Sequence, residues 1–402
     1  MAIDRTIYRE IPVTPRLWAA VVVLGAVLLG GLWAFAHVEH QGHVATGMTN
    51  QVVWGMPHVF AIFLIVAASG ALNVASIASV FDNKPYKPLS RLSGVLAIAL
   101  LAGGLAVLVL DLGRPDRLIV QMTHFNFTSI FTWNILLYSG FLGIVALYLW
   151  VQMDRNVHPK WTKPAGLLAF VWRLALTTGT GSIFGWLVAR PGYDAAIMAP
   201  LFIAMSFALG LAVFILVLQA LCALAGCPLG RALTTRLTRL LALFVAAVLY
   251  FTAVQHLTNL YATEHAGIEA FILRDGGIYT ALFWIVQIGL GGLVPLALVY
   301  GRRAAPSAGL SAGVSLLVIL GGMAQLYVIV IGGQAYPMEL FPGFEVASGF
   351  HDGQVASYGP SLPEVALGLG GVALALLATG VGAKVLRVLP TNLSDQNLAA
   401  KG

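Results

Sequence analysis

Ten long apolar runs constrain this chain more than any other feature. They cover roughly residues 17–36, 54–80, 89–110, 131–153, 165–187, 197–223, 238–260, 277–300, 308–332 and 362–386. About 20 apolar residues in helical form cross the hydrocarbon of a bilayer. Runs of this length without strict alternation exclude a β-barrel. Only 9% of the 402 residues are charged, against about 25% in soluble domains, and no stretch between the runs reads as a separate soluble domain. The expectation is an all-α polytopic membrane protein of ten transmembrane helices. Its single membrane domain, 17–387, lies between an N-terminal segment, 1–16, and a tail, 388–402. The 44 glycines suit close helix approach in lipid, where small residues set the packing. Ala34-Phe35-Ala36 resembles a signal-peptidase site, but the run before it exceeds a signal's usual apolar length of about 7–15 residues, so it is read as a span.

Charge then orients the spans. The segment 1–16 carries Arg5, Arg9 and Arg16, and alternate loops add Lys84, Lys87, Arg91, Arg155, Lys160, Lys163, Arg231, Arg236, Arg239, Arg302 and Arg303. With Lys384, Arg387 and Lys401, that places 17 of the 22 basic residues on one side. The positive-inside rule puts both termini in the cytoplasm. His37, His40, His43, His58, His124, His256, His265 and His351 then fall at or beyond the outer face, and only His158 is inside. The three longest outer loops, 37–53, 261–276 and 333–361, make that face the expected docking surface for a partner or reactant. Arg190, Gln334 and Tyr336 are its candidate contacts.

Unusual polar chemistry concentrates between Trp54 and Trp133. His58 sits one turn into the second run, close to Trp54 and Asn50. An imidazole at that depth can hydrogen-bond a quinone carbonyl and exchange its proton; the alternative is an interfacial histidine bonded to a nearby carbonyl. Asp111 and Arg114 close the third run, either as part of a site or as a self-neutralising pair in a helix-terminating turn. His124, Asn126 and Ser129 follow in a short loop that returns nearby. Arg173 stands inside the fifth run, about 12 Å from its basic end. It either snorkels to the interface or faces the interior beside Thr177, Thr178 and Thr180 as part of a proton or anion route. Asn73 and Tyr138 are further candidates for a proton path. Asn134, Gln287 and Gln325 read as interhelical glue.

Other classes leave weaker traces. Cys222 and Cys227 are too few to ligate an iron–sulfur cluster, and no Cys-x-x-Cys-His haem attachment occurs. A b-type haem between His58 and His256 is a third reading, and a secondary transporter of a small anion or proton-coupled solute is a second one. Against transport, no pair of spans is plainly broken at mid-depth. No basic run suggests nucleic acid.

Several segments resemble the NrfD/polysulfide reductase membrane-subunit family. They are Trp54-Gly55, Ala67-Ala68-Ser69-Gly70, Tyr86-Lys87-Pro88-Leu89, Asp111-Leu112-Gly113-Arg114-Pro115, His124-Phe125-Asn126 with Ser129, Gly181-Ser182-Ile183-Phe184 and Ala189-Arg190-Pro191. Their order extends over about residues 50–390. Gly333-Gln334-Ala335-Tyr336-Pro337 and Pro360-Ser361-Leu362-Pro363-Glu364, with ten spans rather than eight, are most similar to its ten-helix DsrP/HybB-like branch, and the stretch from Met48 to His58 is closest to DsrP.

The resemblance implies two four-helix bundles, 54–187 and 197–332, flanked by the first and last spans. It implies a bacterial cytoplasmic-membrane subunit of a respiratory redox complex of the DsrMKJOP kind, in dissimilatory sulfur metabolism. Menaquinone or ubiquinone would be an exchangeable substrate, with no haem or iron–sulfur cluster in this chain. The implied partners are a periplasmic ferredoxin-like iron–sulfur subunit, a multihaem cytochrome c and further membrane redox subunits. By position, the family's quinone-binding histidine falls near His58 and its acidic residue near Asp111 to Gly113. Its quinone-site tyrosine falls at Gly179 or Thr180, a departure that calls for another donor, such as His124 or Tyr138, or a different quinone position.

Overall fold

The computed structural model describes residues 6–154, 156–301, 305–338 and 353–396. Arg5, Arg155, Arg302, Arg303, Lys401, His351 and the 339–343 part of the last long loop lie outside the described residues. Among those described, ten helices are long and apolar enough to cross a membrane. They are α1 (Pro15–Gln41), α2 (Met56–Ser79), α3 (Lys84–Leu110), α4 (Ile130–Met153), α5 (Pro159–Trp186), α6 (Met198–Ala225), α7 (Arg231–Tyr261), α8 (Ile278–Tyr300), α9 (Ala308–Ala335) and α10 (Leu362–Val385).

The boundaries follow the apolar runs except at the basic ends. The sequence predicts α7 from 238, yet it begins at Arg231, and α5 begins at Pro159 rather than 165. Hydropathy marks the hydrocarbon slab. These helices continue past it, because Arg and Lys are good helix formers and their charges can sit in the headgroup layer.

Burial separates central from peripheral helices. In the most apolar stretch of α2, 89% of residues are buried, and 83% in α6, against 11% in α1. α2 and α6 meet at glycines: a Cβ on Gly70 would overlap the Ser206 carbonyl, and one on Gly210 would overlap the Gly70–Ala71 backbone. That small-residue crossing is how helices approach closely in lipid. α2 also packs on α3, α5, α9 and α10, while α1 packs chiefly on α10, where Gly31 meets Gly370.

The two ends of the molecule are closed differently. At the basic end both termini, over their described parts, are docked on the helices. Tyr8 and Arg9 pair antiparallel with Pro390 and Leu389, and Asp395 caps the start of α7 through the Arg231 and Ala232 amides. The buried Cys227 thiol donates to the Pro390 carbonyl at 3.1 Å. Hydrogen bonds from Lys384 and Arg387 hold the Glu10 carboxyl below its ordinary range. The other end gathers the histidines and is called the histidine-rich end below.

There the start of α2 is bolted down by distant residues. The Gln334 amide oxygen accepts from the Val53 and Trp54 amides, both at 3.0 Å, and its nitrogen donates to the Trp54 and Val330 carbonyls. The Tyr358 hydroxyl accepts from the Met56 amide and donates to Glu364, both at 2.7 Å. Burial first, and the Glu364 hydrogen bond second, raise the Tyr358 phenol far above its ordinary pKa, so it stays a donor. Glu364 also accepts from Gly47 and completes a capping box with Ser361. Gln334→Ala is expected to remove four of these bonds and destabilise the protein by about 2–4 kcal/mol. A melting curve of the solubilised protein within about one degree of wild type would contradict that.

Candidate functional site

Beside the anchored start of α2 lies the principal cavity, of about 370 Å³. This is a size suited to a small organic ligand. α2 and the residues just before it supply Trp54, His58, Ile62 and Ile65, α3 supplies Leu105, Leu108 and Val109 with Leu112 just beyond its end, α4 supplies Phe131, Asn134 and Tyr138, and α5 supplies Thr180, Ile183 and Phe184. The short helix Leu118–Thr123 closes one side with Leu118, Gln121 and Met122. The lining is mostly apolar. Leu112, Met122 and Phe131 are exposed, so the cavity opens laterally between α3 and α4. A lateral, apolar mouth lets a lipid-soluble molecule enter from the bilayer.

His58 and Asp111 form the first polar corner. Nδ1 of His58 lies 2.9 Å from Asp111 Oδ2, a close polar contact without straight hydrogen-bond alignment. Asp111 is the C-cap of α3 and its side chain is 2% exposed. A helix C-terminus is already negative, so a buried carboxylate there requires a cationic or donor partner. His58 fills that need at the carboxylate, while His43 meets the main chain of the same residue, its Nε2 3.1 Å from the Asp111 carbonyl oxygen. His43 can approach because Gly113 is at φ +68° and has no Cβ; one would lie 2.7 Å from the His43 ring. His58 also stacks on Trp54, which stacks on Tyr193 and meets Phe184 and Phe131 edge-on.

A second polar corner lies deeper. The Thr180 hydroxyl donates to the Leu176 carbonyl, so the Tyr138 hydroxyl, 3.3 Å away, is the donor of that pair. Asn134 donates through Nδ2 to the Ile130 and Gly179 carbonyls. Its Oδ1 is buried with no partner. Leaving that acceptor unmatched costs about 1–3 kcal/mol, and Asn134 itself borders the cavity.

The expected site residues divide accordingly. Trp54, His58 and Tyr138 line the cavity, with Asp111 directly behind His58. Arg114 does not pair with Asp111; it is exposed and bonds Asp116 at 3.0 Å, because Gly113 turns the backbone outward. Asn50 is exposed and outside the cavity lining. His124 is also exposed, with Nδ1 near Thr123 and the Val120 carbonyl, and does not line the cavity. Arg190 holds the Gln334 and Gln51 carbonyls, both at 2.9 Å. Gln334 is 2% exposed, so it acts inside the loop framework rather than on its surface. Tyr336 is half-buried against Phe271. His43 and Asn134 are site residues that sequence reasoning misses: a loop histidine and an amide one turn into a helix carry no local pattern.

Arg173 faces the interior, wholly buried, and does not snorkel. Nη2 donates to Asn73 Oδ1 at 3.0 Å, and Phe170 and Phe207 cover the guanidinium. Nε and Nη1 have no partner. One turn along, Thr177 donates to Ser69 at 2.6 Å. An unpaired buried charge costs several kcal/mol, so Arg173→Met is expected to fold as stably as wild type or better. Asn73→Leu, which leaves the charge without its one side-chain acceptor, is expected to lose about 2–4 kcal/mol. Equal melting curves for the two variants would contradict this asymmetry.

The sequence profile described as Polysulphide reductase, NrfD matches residues 44–338. The Hdr-like menaquinol oxidoreductase integral membrane subunit of Archaeoglobus fulgidus is 29% identical over 95% of this chain and 96% of its own length. A putative dimethyl sulfoxide reductase membrane subunit of Halobacterium salinarum is 27% identical over 93% of this chain and 91% of its own. A polysulfide reductase chain of Wolinella succinogenes is 23% identical over 71% of this chain and 96% of its own.

Proposed function

The chain belongs to the polysulphide reductase NrfD family of membrane proteins, and from that premise we propose that it is the quinone-interacting subunit of a respiratory redox complex. The observation that carries the reading is the laterally open apolar cavity with a His58–Asp111 corner and a Tyr138–Asn134 corner. The relative from Archaeoglobus, named for menaquinol, supports a menaquinol or similar quinol as substrate.

Quinol oxidation releases two electrons and two protons. One hydroxyl of the head group bonds His58, and the other bonds the Asn134 oxygen with Tyr138 beside it. As electrons leave, His58 takes the first proton, and the Asp111 carboxylate stabilises the developing imidazolium. Tyr138 turns its O–H from Thr180 to the product carbonyl. His58 passes the first proton to water at the histidine-rich end and then takes the second, and Asn73 and Arg173 belong to a candidate inward route. Run in reverse, the same groups reduce a quinone.

The electrons pass to or from another subunit at the histidine-rich end. A ferredoxin-like iron–sulfur protein, with a multihaem cytochrome c and further membrane subunits in the assembled complex, suits a chain whose two cysteines are too few to hold a cluster. Orientation with that end outside the cytoplasmic membrane, two four-helix bundles and a DsrP-like role in sulfur metabolism complete the proposal. The loop framework around Arg190, Gln334 and Tyr336 is the proposed docking platform. Asn134→Leu tests the deeper corner: quinol-analogue affinity is expected to fall about tenfold. An unchanged affinity in a folded sample would remove Asn134 from the site.

A further inference from the structure

The α7–α9 side of the molecule holds a second buried histidine–carboxylate pair, outside the lining of the quinone cavity. His256 Nδ1 lies 2.7 Å from Glu269 Oε2, and the Asn259 amide donates to Oε1 at 2.9 Å. Glu269 is wholly buried and the His256 side chain 12% exposed. His256 heads a small cavity of about 10 Å³, lined also by Thr252, Gln255, Gln287 and Gln325. A second cavity of about 30 Å³ shares Thr252, Gln287 and Gln325 and runs on toward Gly291 and Gly321. These volumes hold one or two waters. The walls have the amides and hydroxyl that buried water needs. Three π-helical segments, Phe271–Asp275, Leu282–Leu293 and Val328–Gly332, flank the first cavity through Ile272, Phe283, Gln287, Val328 and Ile329. Such turns are uncommon and concentrate at functional sites.

We propose that His256 and Glu269 form a second proton-binding site, which exchanges one proton with water in these cavities independently of quinone chemistry. Uptake at the free ring nitrogen takes the pair from one net negative charge to neutral, with hydronium becoming water; release reverses this. No described residue lines both this cavity and the quinone cavity. The two are nonetheless neighbours: Tyr193 stacks on Trp54 while the adjacent Gly192 lines the cavity headed by His256.

Other titratable groups nearby have partners of their own. His265 faces the Pro191 carbonyl at 3.1 Å and Glu264 at 3.7 Å. Arg274 pairs with Asp275 in solvent, and Arg190 with the Gln51 and Gln334 carbonyls. The phenols of Tyr279 and Tyr327 stack together on α8 and α9, and Tyr261 at the end of α7 is exposed. α6 presents no charged side chain among its residues.

The test is a pH-difference infrared spectrum of the purified full-length protein, recorded between about pH 5 and 9, where histidine pairs titrate. Paired imidazole and carboxylate difference bands are expected in wild type. They should vanish in Glu269→Gln, move in His256→Gln and persist in Asp111→Asn. Retained saturable binding of a fluorescent quinone analogue by the first two variants would show them folded and the quinone cavity intact. A Glu269→Gln spectrum superimposable on wild type would overturn the proposal. If that variant fails to fold, unmoved bands in His256→Gln would do the same.

Discussion

Asp111→Ala is expected to lower quinol-linked turnover of the membrane complex by at least about a hundredfold. The substitution removes the counter-charge of His58, which then has no group to stabilise the proton it accepts; acid–base partners of this kind contribute about 10²–10⁴ in rate. It also leaves the His58 ring at the head of the cavity without the contact that fixes it 2.9 Å away. Asp111→Glu is expected to recover part of the rate. Arg114→Ala, which breaks only an exposed bond to Asp116, is expected to stay within about twofold of wild type, as surface pairs do. Turnover measured in membrane vesicles, normalised to protein incorporated, separates these outcomes. Wild-type rates in Asp111→Ala would remove the carboxylate from the mechanism.

The largest expected effect on folding belongs to Gly70→Leu. Its side chain would have to occupy the space of the Ser206 carbonyl and of Gly210 across the α2–α6 crossing. α2 and α6 are the most buried helices of the ten, so neither can move aside without separating everything packed on them. Overpacking a core by a few atoms costs about 1–3 kcal/mol, and here the backbone itself obstructs. The variant is expected to be degraded or to aggregate on extraction. Gly25→Leu, on α1 with nothing within 4 Å of its Cβ position, is the control and should be extracted like wild type. A monodisperse Gly70→Leu protein with unchanged thermal stability would contradict this packing.

Much of this architecture is legible in the sequence, for a physical reason. A bilayer forces every span to satisfy its own backbone and be apolar over a fixed length, so ten runs give ten helices. The depth of His58 and Asp111 is legible too, because both end long runs. Their pairing is not. Arg114 is three residues from Asp111 in sequence, but the positive φ of Gly113 separates them in space, and the partner comes from another helix. The Gln334–Trp54 clamp joins residues 280 apart, a contact no local pattern encodes. Asn134 reads as glue because half of it is glue: its nitrogen joins α4 to the Gly179 carbonyl on α5. Only the unmatched oxygen reveals the other half. Arg173 leaves two readings open until the structure places it wholly inside.

The quinone site is tested most directly by a fluorescence-quenching titration of the purified protein with a quinone analogue, in wild type and His58→Ala. Saturable quenching is expected in wild type, with an affinity at least about tenfold weaker in the variant, since His58 bonds one end of the head group and shapes the mouth beside Trp54. Saturable binding of equal affinity in both would contradict the placement of quinone in this cavity. No saturable binding in a folded wild-type sample would contradict the quinone function itself.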